Sequence, residues 1–123
     1  HQNNKTMKNG ILIDPTMRTI EWVEVKDFKN IYTHLKCELF ECVDIDEVNT
    51  IYVDEEFHYK DGNEWFHFEG THTPIKGRGL ILGNDDETGD SCDCTFSIQH
   101  VQKKVRFMDS FEVVMKSKLG LLV

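Results

Sequence analysis

The run from Gly79 to Gly83, GLILG, constrains the fold more than any other stretch of this chain. It is continuously apolar and short, which favours a strand over a helix. A strand without polar alternation is buried on both faces, so the run predicts the central strand of a covered sheet. Gly77 and Gly79 bracket Arg78 at its entrance, which predicts a tight turn that uses glycine for a positive φ.

Local signals around this strand predict a hairpin and a helix near the start of the chain. Gly10–Asp14 and Arg18–Val25 have strand-like apolar content and are separated by the Asp14-Pro15 turn signal. Asp27 then suits a helix N-cap. The helix is predicted from the one-sided spacing of Phe28, Ile31, Tyr32 and Leu35.

The remaining elements are predicted from shorter patterns. An acidic turn separates two strands, and Asp61-Gly62 between aromatic-rich runs predicts a second hairpin. The apolar spacing of Ile98, Val101, Val105 and Met108 predicts a second helix. These elements are the strands Leu39–Ile45 and Asn49–Glu56, the hairpin within Phe57–Phe68, and the helix Ser97–Met108.

Together these elements predict an α+β fold with a mostly antiparallel sheet of about five to seven strands and two helices. We expect a polar tail at residues 1–9, a single domain at 10–108, and a C-terminal extension at 109–123. The extension is apolar at Phe111, Val113, Val114 and Met115, which is compatible with a strand, a helix or an oligomer contact. We therefore treat it as a candidate interaction segment, including contact with a second copy.

The charge balance limits the classes of function. The 123 residues include 22 acidic and 14 basic side chains, for a formal net charge of -8. This balance argues against a direct nucleic-acid binder, which normally has a basic footprint. It fits either a surface that meets a basic partner or a surface charged for solubility. Neither a membrane span nor an export signal is expected, so a cytosolic location is predicted.

Three groups of residues are candidates for partner or ligand binding. Gly77-Arg78-Gly79 precedes its strand, whereas phosphate-binding loops follow a strand and open a helix. The arginine fork could nevertheless bind a phosphate or a carboxylate. The second group is the acidic loop with Asp85 and Asp86, expected to be solvated and mobile. The third is the aromatic hairpin with Tyr59, Trp65 and His67.

No metal or cofactor is predicted. The four cysteines have C-x4-C and C-x-C spacings, and the second is a poor zinc knuckle. Disulfides are not expected in a reducing cytosol. The histidines around Glu69 match no named metal motif, and the acidic loop lacks the spacing of a calcium-binding EF-hand. There is also no nucleophile elbow or cysteine signature, which favours a non-enzymatic protein.

Three short motifs resemble one family of uncharacterised small domains found in bacteriophages and mobile elements. They are ILIDPTMRTIEWVEV near the start, IYVDEE in the middle, and GRGLILGND. Family members are similar in having an ILVDP-like first strand and a GRGLVLG-like strand entered through glycine. The resemblance covers about Gly10 to Met108, and the SCDC segment and the residues beyond Asp109 depart from it.

The resemblance implies a setting rather than a chemistry. It suggests a phage-encoded accessory protein in the cytoplasm of a bacterial host cell, where such proteins often bind and disable a host factor. The expected partner is therefore a host bacterial protein, bound without catalysis. The alternative is a binder or hydrolase of a small nucleotide signal, with Arg78 on phosphate and a histidine from His58, His67 or His72.

Overall fold

The computed structural model describes residues 7–57 and 60–120 of the chain. Strands within these ranges are Lys8–Asp14 (β1), Thr19–Val25 (β2), Phe40–Asp44 (β3), Asn49–Asp54 (β4), Glu64–Phe68 (β5), Ile75–Lys76 (β6), Gly79–Asn84 (β7), Ser91–Cys92 (β8) and Val105–Asp109 (β9). The helices are Phe28–Leu35 (α1), Ile98–Lys104 (α2) and Ser110–Lys118 (α3). The fold is α+β, as the sequence predicts.

The strands form two sheets, and every pairing between described strands is antiparallel. The larger sheet has the order β2-β1-β7-β4-β3, with β8 added to the end of β7. The smaller sheet has the order β6-β5-β9. The expectation of one sheet with two helices was therefore too simple, because β5, β6 and β9 separate from the main sheet and α3 is a third helix.

The larger sheet is covered on both faces, and each face has its own apolar core. On one face, Ile11, Ile51 and Ile81 pack with Phe66 and Phe68 of the smaller sheet. The other face packs against α1, and its core includes Leu12, Tyr52, Leu80, Leu82, Ile31 and Leu35. The alternation of side chains along β7 sends Ile81 to the first core and its two leucine neighbours to the second. The prediction that GLILG forms a buried central strand is confirmed.

The glycines of this run have two different physical roles. Gly77 has a φ of 89°, so it makes the left-handed turn that the sequence predicts. Gly79 instead permits close packing, because a Cβ there would lie 2.5 Å from Cζ of Phe66. Gly83 has the same role at the other end of β7, where a Cβ would lie 2.3 Å from the backbone oxygen of Asp93. The two sheets and the β7–β8 hairpin approach closely because these side chains are absent.

The first hairpin and the first helix form as predicted. β1 pairs with β2 along its whole length, although it begins at Lys8, two residues before the expected start. The side chain of Asp27 accepts a hydrogen bond from the Asn30 backbone amide and caps α1. Ile31 and Leu35 are the buried residues of this helix.

The predicted hairpin at Asp61-Gly62 was wrong. β5 pairs with β6 and β9, and neither Phe57 nor Lys60 belongs to a strand. β5 lies between β6 and β9 in the smaller sheet, so both of its edges are paired with strands that come later in the chain. The Asp61-Gly62 segment instead lies at the rim of a surface cleft.

The second predicted helix was correct only in its first half. Ser97 caps α2, which ends at Lys104, and Val105–Asp109 continues as strand β9 rather than helix. Val105 and Phe107 have high strand propensity, and β5 supplies hydrogen-bond partners for their backbone. Met108 is buried too, but it lies on the face of β9 opposite to Val105 and Phe107, where it pairs with Trp65 of β5.

Candidate functional site

The Gly77–Gly79 turn holds Arg78 between three parts of the chain. Nη1 of Arg78 donates to the carbonyl oxygen of His34 at 2.9 Å, near the end of α1. Nη2 lies 3.2 Å from Oδ2 of Asp14, which is buried at the end of β1. Oδ1 of Asp14 also accepts from the Thr16 backbone amide at 3.0 Å. Arg78 therefore connects the start of β7 to α1 and to the β1–β2 turn.

The open side of Arg78 faces a cleft of about 460 Å³. Lys60 also lines this cleft, and its Nζ lies 2.6 Å from Oδ2 of buried Asp54. This hydrogen bond is the main cause of the raised pKa of Lys60. Lys76 Nζ donates to the Lys60 carbonyl oxygen at 2.5 Å. The cleft is therefore a mixed-charge surface on which Arg78, Lys60 and Lys76 already have partners.

The other end of β7 carries a concentration of negative charge. Asn49 of β4 pairs with Gly83 of β7, so the β3–β4 turn and the β7–β8 hairpin lie side by side. Both bear exposed carboxylates, which we call the acidic end. It comprises Asp44, Asp46, Glu47, Asp85, Asp86, Glu87, Asp90 and Asp93.

The backbone of the acidic end is held by specific hydrogen bonds. Asp85 Oδ1 accepts from the backbone amide of Glu87 at 2.9 Å, and the Asp85 amide donates to the Asp90 carbonyl at 2.8 Å. In the neighbouring turn, Asp46 Oδ1 accepts from the Asn49 backbone amide at 2.7 Å. The Asn49 side chain is fully buried and donates to Thr95 Oγ1 at 2.6 Å. The sequence predicted a solvated loop at 84–93, and the structure gives it a defined hairpin with β8.

The charge of the acidic end is left largely uncompensated. The three ion pairs among the described residues involve Asp14, Asp54 and Glu69, which all lie elsewhere. Burial raises the pKa of the Cys92 thiol, and the negative charges of Asp85 and Asp93 raise it further, while Lys8 lowers it. Burial likewise raises the pKa of Cys94 to about 11. The carboxylates thus act on their neighbours as a concentrated negative field.

An exposed tryptophan borders the acidic end. Trp22 of β2 is 48% exposed and shares a shallow hollow with Asn9, Asp93 and Cys94. Asp93 Oδ1 accepts from the Asn9 backbone amide at 2.8 Å, which fixes the carboxylate beside the hollow. An aromatic face next to a carboxylate suits a lysine or arginine side chain, through cation–π and ionic contacts.

The third predicted group lies on the smaller sheet. Trp65 and His67 project from the same face of β5, as their spacing predicts. Trp65 Nε1 donates to Ser110 Oγ at 2.8 Å, and Lys76 Nζ lies 5.9 Å from the tryptophan ring centroid. His67 Nε2 donates to the Thr71 carbonyl at 3.0 Å. Tyr59 lies outside the described residues.

The predicted site residues therefore do not form one site. Arg78 and Asp85 are near opposite ends of β7, roughly 20 Å apart for a strand of this length. Trp65 is close to the arginine turn, because it pairs with Lys76. His67 lies at the far end of β5, in a groove with Lys104 and Arg106 rather than in the cleft.

One family model matches this chain, over residues 7–106, and it is described as a domain of unknown function, DUF3846. The chain belongs to the DUF3846 family. This confirms the expectation of an uncharacterised small domain family. The match covers the arginine turn, the acidic end and Trp22, while α3 lies beyond it. No curated protein and no solved structure matches the chain.

Two further observations concern the described part of this DUF3846 chain. Across residues 7–57 and 60–120, no three or more histidine, cysteine, aspartate or glutamate side chains are grouped so that they could hold a metal ion. Nor does any described helix have the length and apolar character needed to cross a membrane.

Sequence inspection missed several of the residues that build these sites. Asp14 and Asp54 are buried partners of the cleft cations, yet each stands at the end of an apolar strand, where a carboxylate usually marks only a turn. Trp22 was assigned to a strand without a surface role. Its exposure depends on β2 being an edge strand, which the local sequence does not show.

Proposed function

We propose that this DUF3846 protein is a non-enzymatic binding protein that docks a basic surface of a protein partner on its acidic end. One observation carries the proposal: the β4–β7 pairing joins two turns, distant in sequence, into one exposed acidic surface whose carboxylates take part in none of the ion pairs between described residues. Such a field steers a basic partner and raises its rate of association.

The resemblance to phage and mobile-element domains supports the setting of this proposal. In that setting the protein is a phage-encoded accessory protein, and the partner is a bacterial host factor in the host cell cytoplasm. An acidic surface suits a factor whose own surface is basic, for example one that normally binds nucleic acid.

Trp22 gives the surface an anchor beside its charges. Tryptophan is enriched among the residues that contribute most binding energy, whereas rim charges mainly affect rate and salt dependence. We therefore expect Trp22→Ala to increase the dissociation rate, and Asp85→Lys with Asp86→Lys to reduce the association rate.

The test is affinity capture from host lysate followed by kinetic measurement with the purified partner. Asp85→Lys/Asp86→Lys should lower the association rate about 10-fold at low salt, and added salt should remove the difference. Glu55→Lys is the matched control, because Glu55 is exposed and lies at the opposite end of β4. Equal effects of the two charge reversals, or none from either, would contradict docking at the acidic end.

The cleft beside Arg78 is the observation that favours a second function, binding of a small nucleotide. Arg78, Lys60, Lys76 and Lys36 line it, and a phosphate would have to replace the carboxylates that now pair with two of them. Of the three histidines named for hydrolysis, His67 and His72 do not line the cleft, and His58 lies outside the described residues. A nucleotide panel in a thermal-shift assay tests this, with Arg78→Lys to retain charge but remove the planar fork.

A further inference from the structure

A groove of about 540 Å³ lies on the smaller sheet, where β5 and β9 meet the end of α2. Its charged lining consists of three permanent cations, one imidazole and one carboxylate. These side chains belong to Lys103, Lys104, Arg106, His67 and Glu69. The chain as a whole has a formal net charge of -8. The local excess of cations therefore attracts anions that most of the surface repels.

The cations of this groove are less engaged than those of the cleft beside Arg78. Lys103 and Arg106 are exposed, and neither takes part in an ion pair between described residues. Lys104 Nζ lies 3.7 Å from Glu69 Oε1, and an ion pair this long and this exposed adds little stability. An anion that enters the groove therefore displaces at most one weak pair, whereas in the cleft it would compete with two buried carboxylates.

Backbone and side-chain hydrogen bonds hold the groove in shape. His67 and Arg106 are directly opposite each other in the β5–β9 register, so their side chains share one face of the smaller sheet. The Glu69 backbone amide donates to the Lys104 carbonyl oxygen at 2.9 Å, which joins the two segments beyond the ends of the strands. His67 Nε2 donates to the Thr71 carbonyl at 3.0 Å, which orients the imidazole. A site that is ordered in advance loses less entropy when a ligand binds.

We propose that this groove binds the phosphate group of a small phosphorylated molecule. The planar fork of Arg106 can donate two parallel hydrogen bonds to phosphate oxygens, and Lys103 and Lys104 add positive charge. The volume exceeds that of one phosphate and leaves room for the group that carries it. Among the described residues that line the groove there is no phenylalanine, tyrosine or tryptophan on which a nucleic-acid base could stack, which favours a small ligand. The inference is independent of the acidic end, which lies on the larger sheet.

Titration of the full chain with inorganic phosphate at constant ionic strength, followed by amide NMR, tests the proposal. Saturable shifts are expected for the amides of Gly70 and Val105 in the groove, and none for Gly77 in the cleft. Arg106→Gln should weaken phosphate binding about 10-fold. Arg106→Lys keeps the charge without the fork and should weaken it less. Arg18→Gln is the matched control, because Arg18 is also exposed and outside the described ion pairs but lies in the β1–β2 turn, and it should leave binding unchanged.

Glu69 provides a test of opposite sign. Glu69→Gln removes the carboxylate of the groove, so phosphate should bind about 3-fold more tightly. Glu55→Gln changes the net charge equally outside the groove and should not have this effect. Circular dichroism shows whether each variant keeps its fold.

Four results would overturn the proposal. They are shifts that do not saturate, binding by Arg106→Gln that equals that of the wild type, equal losses in Arg106→Gln and Arg18→Gln, and shifts centred on Gly77, which would assign the phosphate to the cleft. A chain that binds a short oligothymidylate but not inorganic phosphate would also overturn it, because the groove would then follow a nucleic-acid backbone.

Discussion

Position 79 requires glycine because a neighbouring aromatic ring leaves no room for a side chain, and not because of its backbone conformation. Because its Cβ would lie 2.5 Å from Cζ of Phe66, Gly79→Ala should lower the free energy of unfolding by about 1–3 kcal/mol. Urea denaturation measures this loss. The matched background is Phe66→Leu, which makes room for the methyl group, and the cost of Gly79→Ala should become smaller there. Equal costs in the two backgrounds would show that the ring is not the cause.

Cys94 makes stability depend on pH in a direction that can be worked out. Burial raises the pKa of its thiol from 9.0 to about 11, so the folded state holds this proton more tightly than the unfolded state. Below pH 9 the thiol is protonated in both states and the contribution is fully present. Between pH 9 and 11 only the unfolded thiol ionises, and stability falls as pH rises.

Cys94→Ala separates this effect from other groups that titrate in the same range. The difference in unfolding free energy between the wild type and Cys94→Ala should shrink by about 2 kcal/mol between pH 9 and pH 11. Urea denaturation at several pH values gives this difference. A difference that stays constant across the range would mean that the folded thiol ionises as readily as the unfolded one.

At the scale of elements, the capping box at Asp109 determines where β9 ends and α3 begins. Asp109→Ala removes a cap worth about 1 kcal/mol, so the α3 amides should exchange hydrogen about 5-fold faster. Asp109→Asn keeps an acceptor oxygen, so its α3 amides should exchange hydrogen nearly as slowly as those of the wild type. Unchanged exchange in Asp109→Ala would show that contacts with the smaller sheet alone hold this helix.

Elements with strong local signals could be predicted from the sequence, and those that depend on distant partners could not. The Asp27 cap with its apolar spacing marks α1, and the apolar run of β7 requires burial on both faces. β9 could not be predicted from local signals, because the spacing of Val105 and Met108 also fits a helix. Only the pairing with β5 selects the strand. The Asp61-Gly62 error has a related origin, since both edges of β5 pair with later strands, β6 and the distant β9.

The candidate sites divide in the same way. Asp85 and Asp86 could be found as an acidic loop, and Arg78 as a cation beside two glycines. Joining Asp85 to Asp46 needs the register of β4 against β7, which places segments about forty residues apart in sequence side by side. Likewise, the sequence offered the apolar residues of α3 but not their outward direction, which follows from the contacts of Ser110.

At the scale of the whole molecule, charge is distributed unevenly. The exposed carboxylates of the acidic end lie around the end of β7, while Lys103, Lys104 and Arg106 lie at the junction of α2 and β9. Carboxylates held close together repel one another and destabilise the folded state when salt does not screen them. The acidic end thus has a cost in stability, and that cost can be measured without any partner.

Asp86→Lys should therefore stabilise the protein by a few tenths to about 1 kcal/mol at low ionic strength, because it removes one repelling charge and adds an attracting one. Raising ionic strength from about 0.01 M to about 0.15 M shortens the screening length from roughly 30 Å to 8 Å. The wild type should gain stability over that range and the advantage of Asp86→Lys should decrease, as thermal denaturation can show. Glu55→Lys changes net charge equally, so an equal gain there would assign the effect to total charge rather than to the acidic end.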